Sequence, residues 1–297
     1  MRRFDMNLAH APLIDRAWFG TWDFDPLLGI AVVLTAFLFA RGTREIGSRS
    51  ASSAPEVVRS VAFFSGLAII TVAVSSPGHA LAETLLSAHM VQHVVLIVVA
   101  APLIAFARPG LPIMLALPSS LQKRLRADGV LRLSRVIRRC VANPPMVWVL
   151  GAVALWVWHL PGPYDWALRS EVGHRLEHLS FLGTALLFWA VVVPRRSRHM
   201  RHAAAIALTF ATGLQSAALG AVLAFATQPL YPTHAHRAVA WGLDPLTDQQ
   251  LAGVIMWVPM GGLYVAIMAT LFLGWMREMD RRLPPHEVVT ADTRERP

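Results

Sequence analysis

Two pairs of histidines in this sequence have the spacing of metal ligands on a helix. His89 and His93 lie four residues apart, and His174 and His178 repeat the interval. Residues i and i+4 of an α-helix project from one face, about 6 Å apart along the axis. Two imidazoles on one face can share a metal ion, and a facing pair would complete its coordination. The spacing therefore predicts one metal site built from both pairs.

Other polar and sulfur-bearing side chains accompany the histidines. Met90 and Gln92 lie within the first pair, and Glu177 directly precedes His178. Glu177 is close enough to orient a neighbouring imidazole or to accept its proton, and Asp248 stands at the entrance of the last apolar run. We expect Gln92 and Asp248 to act as polar supports and Met90 as an auxiliary sulfur. The predicted metal site comprises His89, His93, His174, His178, Glu177, Met90 and Asp248.

The residue types limit which metal this site could take. The chain has a single cysteine, Cys140, so a CxxC site or an internal disulfide is excluded. Imidazole and thioether ligands suit copper, because soft methionine sulfur selects Cu(I). Four imidazoles could also hold zinc, and iron would be expected as haem. Copper is therefore the expected metal.

The composition indicates that these residues sit in a membrane. Hydrophobic residues make up 55% of the 297 residues and charged residues only 15%, against about 25% charged in an ordinary soluble domain. A helix needs about 20 mostly apolar residues to cross a bilayer. We predict an all-α integral membrane protein with a bundle of about seven transmembrane helices. The apolar runs are Pro26–Ala40, Val57–Ser75, Leu81–Phe106, Pro145–Leu160, His174–Val193, Ala203–Ala226 and Gln249–Trp275.

The charges predict how the bundle is oriented. Most of the 27 Lys and Arg residues fall in alternate loops and after the last run, and such residues accumulate on the cytoplasmic side. The N-terminus is therefore predicted outside, the C-terminus in the cytoplasm, and the histidine pairs near the outer face. We divide the chain into an extracytoplasmic segment 1–25, a transmembrane domain 26–276 and a cytoplasmic tail 277–297. This distribution explains the net charge of +9 without nucleic acid as a partner.

Three functional hypotheses are compatible with ionisable groups inside membrane helices, which usually have a function. The first is a non-enzymatic metal-binding protein, and the second is a membrane cytochrome with haem between the third and fifth runs. The third is a transporter of copper or protons, for which Gln215 is the best mid-membrane residue. Some residues have simpler interpretations. Single histidines such as His79 and His159 are expected to have structural roles as hydrogen-bonded residues. His10, His234 and His236 are expected to be solvated. Met256 and Met260 are expected to be packing residues.

Three motifs resemble those of the seven-helix CtaG family of cytochrome c oxidase assembly factors. They are His89-Met90-x-Gln92-His93, His174-x-x-Glu177-His178, and Asp248-Gln249-Gln250-x-x-Gly253-x-x-Met256-Trp257.

The resemblance covers the region from Val57 to Trp275 and implies a function. It implies a multi-pass protein of the bacterial inner membrane, surrounded by lipid, that acts as a chaperone in assembling the haem–copper oxidase rather than as an enzyme. The implied partners are cytochrome c oxidase subunits, and the implied cargo is copper for their metal centres. The oligomeric state and the direction of metal transfer stay open.

Overall fold

The computed structural model describes residues 22–23, 25–47, 54–124, 136–137, 139–140, 143–193 and 202–281. Residues 1–21, most of the stretch between 125 and 142, and the residues after 281 lie outside the description, and with them much of the predicted terminal segments. Twelve helices are labelled in chain order: α1 Pro26–Gly47, α2 Ala54–Ser75, α3 Pro77–Ala82, α4 Leu86–Ala107, α5 Gly110–Ala116, α6 Ser119–Arg124, α7 Pro144–Trp158, α8 Pro161–Arg169, α9 Glu171–Val192, α10 His202–Ala224, α11 Pro232–Val239 and α12 Pro245–Asp280.

Six of these helices are long and apolar enough to cross a membrane, namely α1, α2, α4, α9, α10 and α12. A seventh span results if α7 and α8, which are bent by 75° at the break between them, count as one. The prediction of an all-α bundle with about seven spans is therefore confirmed. Large apolar side chains along α1 are exposed, including Leu27, Ile30 and Val33. Helices satisfy their own backbone hydrogen bonds, so such side chains can face lipid.

The third apolar run is shorter than predicted because the chain turns before it. We expected one helix from Leu81, but α3 ends at Ala82 and α4 begins at Leu86. The Thr84 hydroxyl donates to the Leu81 carbonyl at 2.9 Å, and Leu85 has an extended backbone. Side-chain hydrogen bonds of this kind compete with helix continuation. The turn lets α3 fold against the start of α4.

Within α4, one turn is wider than the rest. Residues Leu96–Ala100 form a π-helical segment directly after the turn that carries His93. A π turn disturbs the regular ladder of backbone hydrogen bonds. Here the Trp189 indole of α9 donates to the Ile97 carbonyl at 2.8 Å. The irregular turn is thus bound to the neighbouring helix.

Helices α10 and α12 pack along each other more extensively than any other described pair. Glycines allow this, because a Cβ added at Gly253 would lie 2.5 Å from the Gly220 carbonyl oxygen and from the Ala224 nitrogen. Such distances are too short for any side chain. The two backbones therefore touch directly, and α12 is fixed against the bundle near its predicted outer end.

Candidate metal centre

The histidines of α4 are positioned by a carboxylate from α12. No side chain of α4 caps its own N-terminus. Instead the buried Asp248 accepts hydrogen bonds from the backbone nitrogens of Leu86, at 2.7 Å, and Ser87, at 3.2 Å, and from the Ser87 hydroxyl. A carboxylate is stabilised at this position by the free N–H groups and the helix dipole. Asp248 thus has a structural role that the sequence prediction described only as polar support.

The two histidine pairs face each other, as their spacing predicted. The ring centroids of His89 and His93 are 4.3 Å apart, and those of His174 and His178 are also 4.3 Å apart. Between the helices, His93 lies 5.4 Å from His178 and His89 lies 6.0 Å from His174. His89 and His93 are almost fully buried. Four imidazoles from α4 and α9 therefore share one small volume.

A buried carboxylate joins two of these rings. The Glu177 Oε1 atom lies 3.5 Å from His89 Nε2 and 3.8 Å from His93 Nε2. Glu177 is 1% exposed, and neither its Oε2 nor His93 Nε2 has a hydrogen-bond partner. These separations are long for strong hydrogen bonds. They are close to the spacing of about 3.3 Å between two ligands of a tetrahedral ion with bonds of about 2.0 Å.

We call His89, His93 and Glu177 the metal centre, because their ligand atoms all lie within 4.8 Å of one another. The donor set is two imidazole nitrogens and one carboxylate oxygen. His178 and His174 adjoin it, and their Nε2 atoms are 3.2 Å apart. Such a set is typical of transition-metal sites. Whether the predicted residues bind a metal stays a prediction.

His79, expected to be structural, contributes a fifth ring at the edge of the cluster. It lies 5.1 Å from His174, with its Nε2 atom 4.0 Å from Glu83, and the three residues form a second group that could hold an ion. The Gln92 amide, however, donates to His79 Nδ1 at 2.9 Å, so the ring proton sits on Nε2. Burial lowers the pKa of His79, while Glu83 and Asp23 oppose that shift.

The expectation that His234 is solvated is wrong. His234 of α11 is 2% exposed and its ring lies 5.8 Å from that of His89. Its Nδ1 atom accepts from the Tyr164 hydroxyl at 2.8 Å, and its Nε2–H donates to the Ala82 carbonyl at 3.2 Å. The short helix α11 folds back over the cluster, which hydropathy could not show. His236 is exposed, as expected.

Below the metal centre lies a largely apolar, partly open cavity. His93 lines it, so the cavity meets the centre directly. Gln215, the mid-membrane residue singled out in the sequence, also lines it. Met90 packs with Tyr164 and Leu219 and also lines the cavity. His159, Met256 and Met260 also line this cavity.

The fold and the cluster together define a class: a multi-helix membrane protein with imidazoles and a carboxylate buried at one end of the bundle. Within that class, the chain belongs to the cytochrome c oxidase caa3 assembly factor family, Caa3_CtaG, whose sequence pattern matches residues 37–278. The family resemblance given by the three motifs is therefore confirmed.

Curated relatives come from mycobacteria and are uncharacterised. The chain is 26% identical over 294 residues to proteins of Mycobacterium bovis and Mycobacterium tuberculosis, and 23% identical over 305 residues to one of Mycobacterium leprae. In each case the match covers 97% of this chain and 44% of the relative. The chain thus spans less than half the length of these relatives. No solved structure matches it significantly.

Proposed function

We propose that this protein serves the assembly of a caa3-type cytochrome c oxidase by binding copper at the metal centre, near the outer face of the bacterial inner membrane. The copper is cargo for the oxidase rather than a resident cofactor. Glu177 carries the proposal, because it is buried against two imidazoles and has an oxygen without a partner. A buried polar oxygen without a partner is costly. A metal cation between the three side chains would provide that partner.

The arrangement favours a metal ion over haem. A bis-imidazole haem requires two rings on opposite sides of a macrocycle. Within each helix the two rings lie only 4.3 Å apart and meet edge to face. The Nε2 atoms of His89 and His93 both face Glu177 Oε1, at 3.5 Å and 3.8 Å, so a carboxylate occupies the place where a haem iron bound to either ring would lie. We therefore expect purified protein to show no Soret band in its absorption spectrum.

The proposal is tested by copper analysis of the purified protein. We expect wild type to bind copper, whereas His89→Ala/His93→Ala and Glu177→Gln should lose at least about tenfold in affinity, since even residues behind the ligands are worth 10- to 100-fold. The matched control is His236→Ala, which removes an exposed histidine. In cells, oxidase maturation should fail with both site variants and proceed with the control.

Glu177→Gln keeps the size of the side chain, so a loss of copper binding in this variant can be distinguished from a loss of folding. Equal membrane levels and equal elution of the variants from a sizing column would show that the bundle is intact. Undiminished copper binding by both intact variants, together with normal oxidase activity, would refute the proposal.

A further inference from the structure

His159, at the break between α7 and α8, is oriented like a metal ligand. Its Nδ1 atom lies 2.7 Å from the Leu155 carbonyl. A carbonyl only accepts, so Nδ1 carries the proton and the neutral ring presents a lone pair at Nε2. That Nε2 atom is buried and without a partner. Metal-binding histidines characteristically donate their other N–H to a carbonyl or carboxylate in this way.

The cavity that His159 lines also contains three methionines. Met90 comes from α4, while Met256 and Met260 stand one turn apart on α12. All three are buried, at 1%, 6% and 5% exposure. Methionine commonly fills gaps in a core, but packing alone does not explain a bare imidazole nitrogen in the same cavity. Thioether and neutral imidazole are together the ligands that select Cu(I).

The charge of the cavity fits a monovalent ion. Among the described residues that line it, none is a carboxylate or a permanent cation. A divalent ion would therefore keep its full charge in an apolar setting, whereas Cu(I) carries half of it and prefers soft, neutral ligands. Gln215 adds a buried amide oxygen without a partner. The metal centre differs, since it has Glu177.

We propose that His159, Met90, Met256 and Met260 form a second copper site, here called the thioether site, which binds copper as Cu(I). His93 lines the same cavity and belongs to the metal centre, so one side chain adjoins both sites. The thioether site is defined by its own residues, and the inference rests on the proposed function only for copper being the cargo.

X-ray absorption at the copper edge tests this, because it distinguishes sulfur from nitrogen and oxygen neighbours. The full chain in detergent would be loaded anaerobically with Cu(I), supplied as its acetonitrile complex. We expect sulfur scattering in wild type and its loss in Met256→Leu/Met260→Leu, with Cu(I) affinity reduced by about tenfold or more. The matched control is Met276→Leu/Met279→Leu, which changes two exposed methionines of the same helix.

A second variant, His159→Gln, keeps the methionines and should remove a nitrogen neighbour while sulfur scattering persists. Leucine is close to methionine in volume, so the double variant should fold. Wild-type copper bound only through nitrogen and oxygen, or sulfur scattering unchanged in Met256→Leu/Met260→Leu, would overturn the thioether site and leave the proposed function standing. If Met256→Leu/Met260→Leu loses sulfur-bound copper while His89→Ala/His93→Ala binds copper as wild type does, the metal centre would be refuted but not the thioether site.

Discussion

At the scale of single residues, the neighbours of each histidine decide where its proton lies. The Leu155 carbonyl accepts from His159 Nδ1, so the Nε2 atom of His159 is unprotonated. The Gln92 amide donates to His79 Nδ1, so His79 carries its proton on Nε2. His234 is bound at both nitrogens. A ring with both nitrogens engaged has no lone pair for a metal. We therefore interpret His234 as a structural support of the cluster despite its closeness to His89.

The buried His234 makes stability depend on pH. Burial, with smaller effects of His89 and Arg237, lowers the pKa of His234 from 6.5 to about 2. The unfolded chain therefore binds a proton below pH 6.5 that the folded protein does not, so stability falls as pH falls through this range. The loss approaches about 1.4 kcal/mol per pH unit. We expect the thermal unfolding temperature of wild type to drop between pH 7 and pH 5.

His234→Gln separates this effect from other acid-sensitive groups. The variant should be less stable than wild type at pH 7, because the bonds to Tyr164 and Ala82 are weakened, and its stability should fall less steeply on acidification. His236→Gln, at an exposed position of the same helix, should follow the wild-type curve. Parallel curves for wild type and His234→Gln would contradict the assignment.

At this scale, the sequence predicts contacts along a helix but not between separate segments. The i, i+4 interval placed His89 with His93 and His174 with His178, because helix geometry fixes such pairs. His234 and His79 lie in short helices outside the long apolar runs, and no local pattern shows which way these fold. The i, i+4 spacing of His79 and Glu83 was a usable signal for the second group that could hold an ion, which consists of these two residues and His174. The bare nitrogen of His159 depends on tertiary burial.

At the scale of helices, the contact of α12 with α10 holds the metal centre together from a distance. Asp248 of α12 caps α4, and α4 carries His89 and His93. Gly253 lies just over one turn along α12 from Asp248, in backbone contact with α10. Any separation of α10 and α12 at this point therefore moves the carboxylate that fixes the start of α4.

Gly253→Ala tests this dependence. The added Cβ would meet backbone atoms at 2.5 Å, so we expect a loss of stability of about 1–3 kcal/mol, typical of overpacking, together with weaker copper binding. The control is Gly261→Ala on the same helix, where a Cβ would meet nothing within 4 Å. It should be neutral or slightly stabilising. Thermal unfolding and copper affinity measure both effects, and equal behaviour of the two variants would contradict the argument.

Helices themselves were largely predictable, whereas their interruptions were not. Six apolar runs correspond to long helices because a bilayer requires continuous hydrogen-bonded backbone. The turn at Glu83–Leu85 was missed, because apolar residues on either side of Glu83 and Thr84 join this stretch to the helix that follows. The fourth run forms the 15-residue helix α7, and the chain bends by 75° between α7 and α8. His159 and Leu160 lie at this bend, between Trp158 and Pro161.

At the scale of the whole molecule, charge rather than packing is expected to set the orientation. Most basic residues fall in the loops that are predicted to lie opposite to the histidine cluster, so the positive-inside rule predicts the metal centre on the outer side. The net charge of +9 then belongs mainly to the cytoplasmic face. An outer position would let the centre exchange copper with a protein domain outside the membrane.

Thiol labelling in cells tests the orientation. Cys140 is the chain's only cysteine and lies on the predicted cytoplasmic side. We expect a membrane-impermeant maleimide to label it only after the inner membrane is permeabilised. In a Cys140→Ala background, His236→Cys should react without permeabilisation, because this exposed residue of α11 belongs to the predicted outer side. Reversed labelling of the two thiols would show that the bundle is inserted the other way round.

The overall class was accessible from composition, because 15% charged residues and long apolar runs leave few alternatives to a helical bundle. The arrangement of the helices was not. Which helix touches which depends on small residues such as Gly220 and Gly253, and the hydropathy profile treats these like any other apolar position. The family motifs link the third, fifth and seventh runs from the sequence alone.

The π turn at Leu96–Ala100 has a consequence for comparing this chain with its relatives. Such a turn holds one residue more than the α-helical path it replaces, and each residue of an α-helix advances the chain by about 100°. A relative lacking one residue here would keep an unbroken helix with both halves in the same angular phase, because the π turn absorbs the extra residue. A relative that kept the residue but wound it as regular α-helix would instead have its outer half rotated by about 100° against its inner half, with the histidine face no longer directed at α9.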